Sequence, residues 1–267
     1  MMKGMIVMSE DTTNKFSLVD LPESADNALK NLTDEPTQNI GKTIGDVWYL
    51  VFGGISHAAD KKRMRYATDL KKYQSELDES INQIPEDKKV EPSIQVAAQA
   101  LENSKYCISS EELRKLFVNL ISHSMNADYE QYVHPSFSEI IKQMSPLDAE
   151  VLQYFKTSAE QPIVNYKIQS PSGSKTLEEY VYFSPDQCHQ FSYAASISSL
   201  VRFGLLTVNF LEHFTDNSYY EIFENFPLYH HFKKTFEDEE HGKHLVTEKG
   251  VCALTPLGKQ FVKACLP

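Results

Sequence analysis

Cysteine is sparse in this 267-residue chain: four thiols, Cys107, Cys188, Cys252 and Cys265, far apart and with no CxxC pair. That spacing argues against a zinc site and a disulfide framework, and for free thiols in a reducing cytoplasm. No run reaches the roughly 18 apolar residues that a membrane span needs. Cations are also short: 26 Lys and Arg face 37 Asp and Glu, a net charge of -11. Such a field repels nucleic acid and bare phosphate surfaces unless a local basic patch overrides it. The start, MMKGMIVMSEDTTNK, is too short and too soon acidic for a signal peptide. Gly41-Lys42-Thr43 ends like a phosphate loop, but the preceding glycine and the leading strand are missing.

What is present is helical periodicity. An apolar content of 41% supports a real core over most of the chain. Residues 1–36 are rich in Asp, Glu, Thr, Asn and Ser and read as a flexible leader. Ile40, Ile44, Val47, Trp48, Val51, Phe52 and Ile55 then recur at spacings of three and four, one apolar helical face. Lys61, Lys62, Arg63 and Arg65 follow it. Face and cations together suit an amphipathic helix on an anionic membrane or a protein partner. The plainer and preferred reading is that the face is core and the cations are solvated. A long polar helix from Asp60 to Ile84 carries a narrow stripe of Ala67, Leu70, Tyr73, Leu77 and Ile81. Pro92 opens a short helix, and Ser109 with Glu112 forms a capping box for another.

The segment YVHPSFSEIIKQMSPLDAEVL, residues 132–152, holds two helix starts. Pro135 and Pro146 suit first-turn positions, where the missing N–H is harmless. Ser145 is an N-cap answered by Asp148 three residues on. His134 could serve as a general base, but no Ser or Cys nucleophile stands beside it in a recognised frame, and a capping or buried hydrogen-bonding histidine is the preferred reading.

Beyond Ser145 the pattern becomes helix, strand, turn, strand, helix, extended run, then hairpin and helix. Strands are expected at Pro162–Ile168 and Tyr180–Phe183, a helix at Gln187–Phe203 and an extended run at Leu205–Phe210. A turn is expected at Glu248-Lys249-Gly250, and a last helix from Thr255-Pro256. Leu200, Arg202, Gly204, Leu205 and Leu206, with Leu254, Thr255 and Gly258, fit the grammar of a winged helix. The expected fold is mainly α. An amino-terminal helical domain, residues 37–144, precedes a small α+β winged-helix-like domain, residues 145–267. As a DNA reader this half is poorly equipped. It holds 10 Lys and Arg against 15 Asp and Glu, and Arg202 is the lone cation of the candidate recognition helix. His230, His231, His241 and His244 with Glu237, Glu239 and Glu240 supply metal-ligand types, but without the spacing that fixes their geometry.

The glycine-punctuated helix IGKTIGDVW, the phrase INQIPEDKKVEP, the helix EELRKLFVNLISHSMN and above all HPSFSEIIKQMSPLDAEVL resemble the abortive infection alpha family. The resemblance runs from about Ile40 to Phe155. It implies a bacterial or prophage-carried antiphage protein, and it carries no agreed catalytic residue. His134, Pro135, Phe137, Ser145 and Asp148 are then mainly structural. The expectation is a non-enzymatic effector with no cofactor or metal, acting through a host or phage protein or a membrane-facing helix. Nucleic acid is not an expected partner, although a winged-helix DNA-binding regulator is the alternative. A homo-oligomer is compatible with the sequence. The expected location is the cytoplasm, with the inner membrane face as a peripheral site.

Overall fold

Apolar stripes at helical spacing set the first half of the molecule. The computed structural model describes residues 40–52 and 61–266, without the side chains of residues 40–43 and 61–64. The expected leader, Ile55, and the side chains of Ile40, Lys61, Lys62 and Arg63 lie outside that description. Six helices come first: α1 Ile40–Phe52, α2 Lys61–Asn82, α3 Ile94–Ser104, α4 Glu111–His123, α5 Phe137–Gln143 and α6 Pro146–Tyr154. Then follow β1 Glu160–Ser170, β2 Gly173–Val181, α7 Ser192–Arg202 and β3 Leu206–Asn209. The chain closes with α8 Ser218–Glu224, α9 Pro227–Phe236, β4 His244–Leu254 and α10 Pro256–Cys265. The protein is mixed α+β, with a helical amino-terminal half.

Local chemistry explains several helix ends. Thr255 caps α10, its hydroxyl accepting the Gly258 N–H at 2.9 Å. Gly204 ends α7 at φ +73°, a left-handed position that glycine takes without penalty. Three expectations shift. The N-cap of α4 is Ser110, not Ser109: its hydroxyl accepts the Leu113 N–H at 3.3 Å. Pro135 sits ahead of α5 instead of in its first turn. The expected helix from Gln187 begins only at Ser192, because Gln187 itself has φ +63°.

The sheet has the order β2-β1-β4-β3, with every neighbouring pair antiparallel. Its two faces separate by strand alternation. Ile163, Tyr182, Cys252 and Leu254 enter the main core with the helices. Val164, Tyr166, Val181 and Leu245 point the other way, under α8 and α9. Neither helix was expected from sequence. The Tyr166 hydroxyl donates to the Phe223 carbonyl at 2.6 Å and fastens α8 to the sheet.

The turn expected at Glu248-Lys249-Gly250 does not exist. Glu248, Lys249 and Gly250 pair in register with Asn165, Val164 and Ile163, and β4 runs straight through. Gly250 has a different purpose. A Cβ there would lie 2.5 Å from the Phe210 ring and 2.8 Å from the Asn209 carbonyl, so glycine admits the neighbouring chain.

The expected strand at Tyr180–Phe183 starts earlier, at Gly173, and ends at Val181. It is an edge strand with irregular register against β1. Tyr180 has φ +54°, and its N–H is accepted by the Asn165 side chain at 3.0 Å. Bulges of this kind blunt an edge against stray strand pairing.

The main apolar cluster is continuous across Ser145, from Ile44 to Leu266. Phe137 of α5 meets Phe261 of α10 edge to face at 5.0 Å. The end of α10 is capped from α4. Asn119 donates to the Cys265 carbonyl at 2.9 Å, and His123 Nδ1 donates to the Ala264 carbonyl at 2.8 Å. These bonds fill carbonyls that a helix end leaves open.

Candidate functional site

The apolar face of α1 is core. Trp48 and Phe52 are 7% and 4% exposed, with ring centroids 4.5 Å apart, and Trp48 lies 5.3 Å from the Tyr73 ring of α2. Ile44 is buried with them, and Val47 and Val51 pack at the margin. Ile44, Trp48 and Phe52 are thus core, which is the preferred reading of this face. Burying them in the fold already satisfies the hydrophobic drive that a membrane would have met. Arg65 is exposed, apart from that face.

The His134–Asp148 segment is built from internal hydrogen bonds. His134 Nδ1 accepts from the Ser136 hydroxyl at 2.7 Å and from the Ser136 N–H at 3.1 Å. The serine beside His134 was missed from sequence, since it is only two residues away. A single nitrogen taking both bonds describes a local turn leading into α5. Next, Ser138 and Asn103 meet across α5 and α3 at 3.1 Å. Asn103, buried, also donates to Glu139 at 2.8 Å and accepts from Lys142 at 3.0 Å. At α6 the expected capping box is present. Ser145 accepts the Asp148 N–H at 3.1 Å, and Asp148 accepts the Ser145 N–H at 2.8 Å. Asp148 is buried and takes a further bond from Ser199 of α7 at 3.3 Å, so one carboxylate orients two helices.

Arg114 is the largest polar group that sequence reading passed over. It is 2% exposed, and its guanidinium grips both oxygens of Glu76 at 2.8 and 3.1 Å. A third bond reaches the Ile108 carbonyl at 2.8 Å. The signal was in the helix itself. Arg114 falls three, four and seven residues before Phe117, Val118 and Ile121, on the buried side of α4.

Among the described residues, no group of three or more His, Cys, Asp or Glu is placed to hold a metal ion. His230 and His231 are exposed on α9, while His241 pairs with Asp238 at 2.7 Å. The exposed Cys188 thiol lies 3.5 Å from an Asp186 oxygen, and that hydrogen bond pushes its pKa up, away from the nucleophilic thiolate. Burial pushes Cys252 up to about 12. Arg202, the candidate DNA contact, is exposed, and its guanidinium lies 4.4 Å from its neighbour Phe203's ring centroid.

The chain matches the family model described as abortive infection alpha over residues 65–265. The chain belongs to the abortive infection alpha family. The family's span differs from the resemblance read in sequence. It begins after α1, so IGKTIGDVW lies outside it, and it takes in the whole sheet and α10. The carboxy-terminal half is thus part of the family unit and not a companion to it. No curated protein and no solved structure matches the chain. Among the described residues, no helix is long and apolar enough to cross a membrane.

One carboxyl carries a pH-dependent cost. Burial alone raises Asp78 of α2 from 3.8 to about 6. Above about pH 6 the folded state holds a charge that burial disfavours. As pH falls from about 6 towards 3.8, the folded state takes up the proton before the unfolded state does, and stability is gained. Asp78→Asn is expected to raise Tm relative to the parent at pH 7–8, with the difference shrinking towards pH 4. A Tm difference independent of pH would contradict that assignment.

Proposed function

We propose that the protein is a non-enzymatic effector of bacterial antiphage defence, acting through protein contacts. Membership of the abortive infection alpha family across residues 65–265 carries the reading. Support for the non-enzymatic part comes from the His134–Asp148 segment. Its polar side chains bond to one another, to backbone and to neighbouring helices, with Asp148 buried between α6 and α7. Partners must then be met on the outer surface.

The test is phage challenge of cells carrying the gene or an empty vector, scored for plaques and host survival. Reduced plaquing with poor survival of infected cells is expected; unchanged plaquing across a broad phage panel overturns the defence reading. Ser136→Ala and His134→Gln are expected to retain protection. Loss of protection in either, at unchanged Tm, would mark a chemical role and overturn the non-enzymatic reading. Asp148→Ala is expected to lose about 1–2 kcal/mol of stability with its cap, and to lose protection only as far as folded protein is lost.

A DNA-binding regulator is the second reading. The order β1-β4-β3, with α7 leading into β3 and α10 closing the sheet, is compatible with a winged helix whose wing is replaced by α8 and α9. Binding to random duplex DNA at low salt, lost in Arg202→Ala, would favour it; no shift at micromolar protein would count against it.

A further inference from the structure

The segment after β3, together with the first turn of α8, presents apolar side chains to solvent. Leu211 is 94% exposed and Tyr219 is 50% exposed. Tyr219 stacks on Phe214 with ring centroids 4.6 Å apart. The loop is held from several sides. The Leu211 N–H donates to the Asn209 side chain at 2.9 Å, and the Ser218 N–H donates to Asp216 at 2.9 Å. The Phe214 N–H donates to the Tyr220 hydroxyl at 3.1 Å, which itself donates to the Gly250 carbonyl at 2.9 Å. Lys249 of β4 reaches the Asn217 side chain at 3.0 Å. An exposed leucine gains nothing from being fixed in place, whereas a binding loop fixed beforehand loses less entropy on contact.

Charge indicates what fits. Glu212, Asp216 and Glu221 lie close to the apolar residues in sequence and are exposed. Hydrogen bonds from Ser218 hold the Asp216 carboxyl below its ordinary range, so it stays ionised. The nearest cation of the sheet, Lys249, is turned towards Asn217 and lies 5.3 Å from the Tyr220 ring centroid. We infer that the Phe210–Tyr219 loop docks a protein segment carrying an apolar residue beside Lys or Arg. The inference rests on the protein-contact reading above and names the partner's chemistry.

The probe is a fluorescent peptide of alternating lysine and leucine, titrated into the full chain by anisotropy at two salt concentrations. A glutamate–leucine peptide is the sign control. The expected result is binding of the lysine peptide, weakened about tenfold in Leu211→Ser/Tyr219→Ser at unchanged Tm. Glu212→Gln/Asp216→Asn is expected to weaken it and flatten its salt dependence. Glu239→Gln/Glu240→Gln, on the distant acidic turn, is expected to leave it unchanged. An equal loss in this last variant means general charge attraction and overturns the inference, as does equal binding of both peptides. In phage challenge, the Leu211→Ser/Tyr219→Ser chain is expected to lose protection. A parent that does not protect defeats the defence reading; a protecting parent with a protecting loop variant defeats this one.

Discussion

Arg114→Met is expected to lower the unfolding free energy by about 3 kcal/mol or more, on the order of 10 °C in Tm. The substitution keeps an apolar stem of similar length and removes only the guanidinium. It leaves the Glu76 carboxylate and the Ile108 carbonyl without their donor in a place where water replaces it poorly. Glu76 retains some solvent contact, with its side chain 24% exposed, which places the loss at the lower end for a broken buried pair. The companion change is informative. Arg114→Met/Glu76→Leu is expected to recover most of the loss, because exchanging a whole buried pair for apolar groups is often neutral. Urea denaturation of the single and double variants measures both. A loss below about 1 kcal/mol in Arg114→Met would mean that the pair is effectively hydrated. A double variant worse than the single would mean that the ion pair itself, and not the stranded charge, holds α2 to α4.

Periodicity made the amino-terminal helices legible, because α2, α3 and α4 each bury one stripe. Ser145 and Asp148 were legible for the same reason: a capping box is decided by four consecutive residues. What failed was decided by distant ones. Gly250 looks like a turn residue until Phe210 and Asn209 are seen lying where its side chain would be. The α8 and α9 segment shows no clean stripe, since α9 has no buried residue and α8 buries only Tyr220 and Phe223 against the sheet. Trp48 and Phe52 read as core more readily than as a membrane anchor, but an amphipathic face does not say what it faces; their contact with Tyr73 places them in the core. The engagement of His134 with Ser136, two residues on, is local and agrees with the hydrogen-bonding role preferred for this histidine.

Gly258→Ala in α10 is expected to cost about 2–3 kcal/mol, against the usual rule that alanine improves a helix by about 1 kcal/mol over glycine. A Cβ at this position would stand 2.0 Å from the Leu205 carbonyl oxygen and 2.9 Å from its carbon. That carbonyl has little freedom to yield. It accepts the Thr255 N–H at 3.0 Å, and the Thr255 hydroxyl donates to the Gly204 carbonyl at 2.5 Å. Gly204 is itself fixed in a left-handed conformation at the end of α7. Adding one methyl must therefore push α10 away from β3, and α10 carries Phe261 against Phe137 and the carbonyls capped by Asn119 and His123. Gly45 in α1 supplies the control, since nothing lies within 4 Å of its added Cβ. Gly45→Ala is expected to be neutral or to raise stability by up to about 1 kcal/mol. Opposite signs for the two glycines are the outcome that close approach requires. If Gly258→Ala matched Gly45→Ala in a thermal melt, helix α10 would not be seated on Leu205, and the union of the sheet with the amino-terminal helices would have to rest on other contacts.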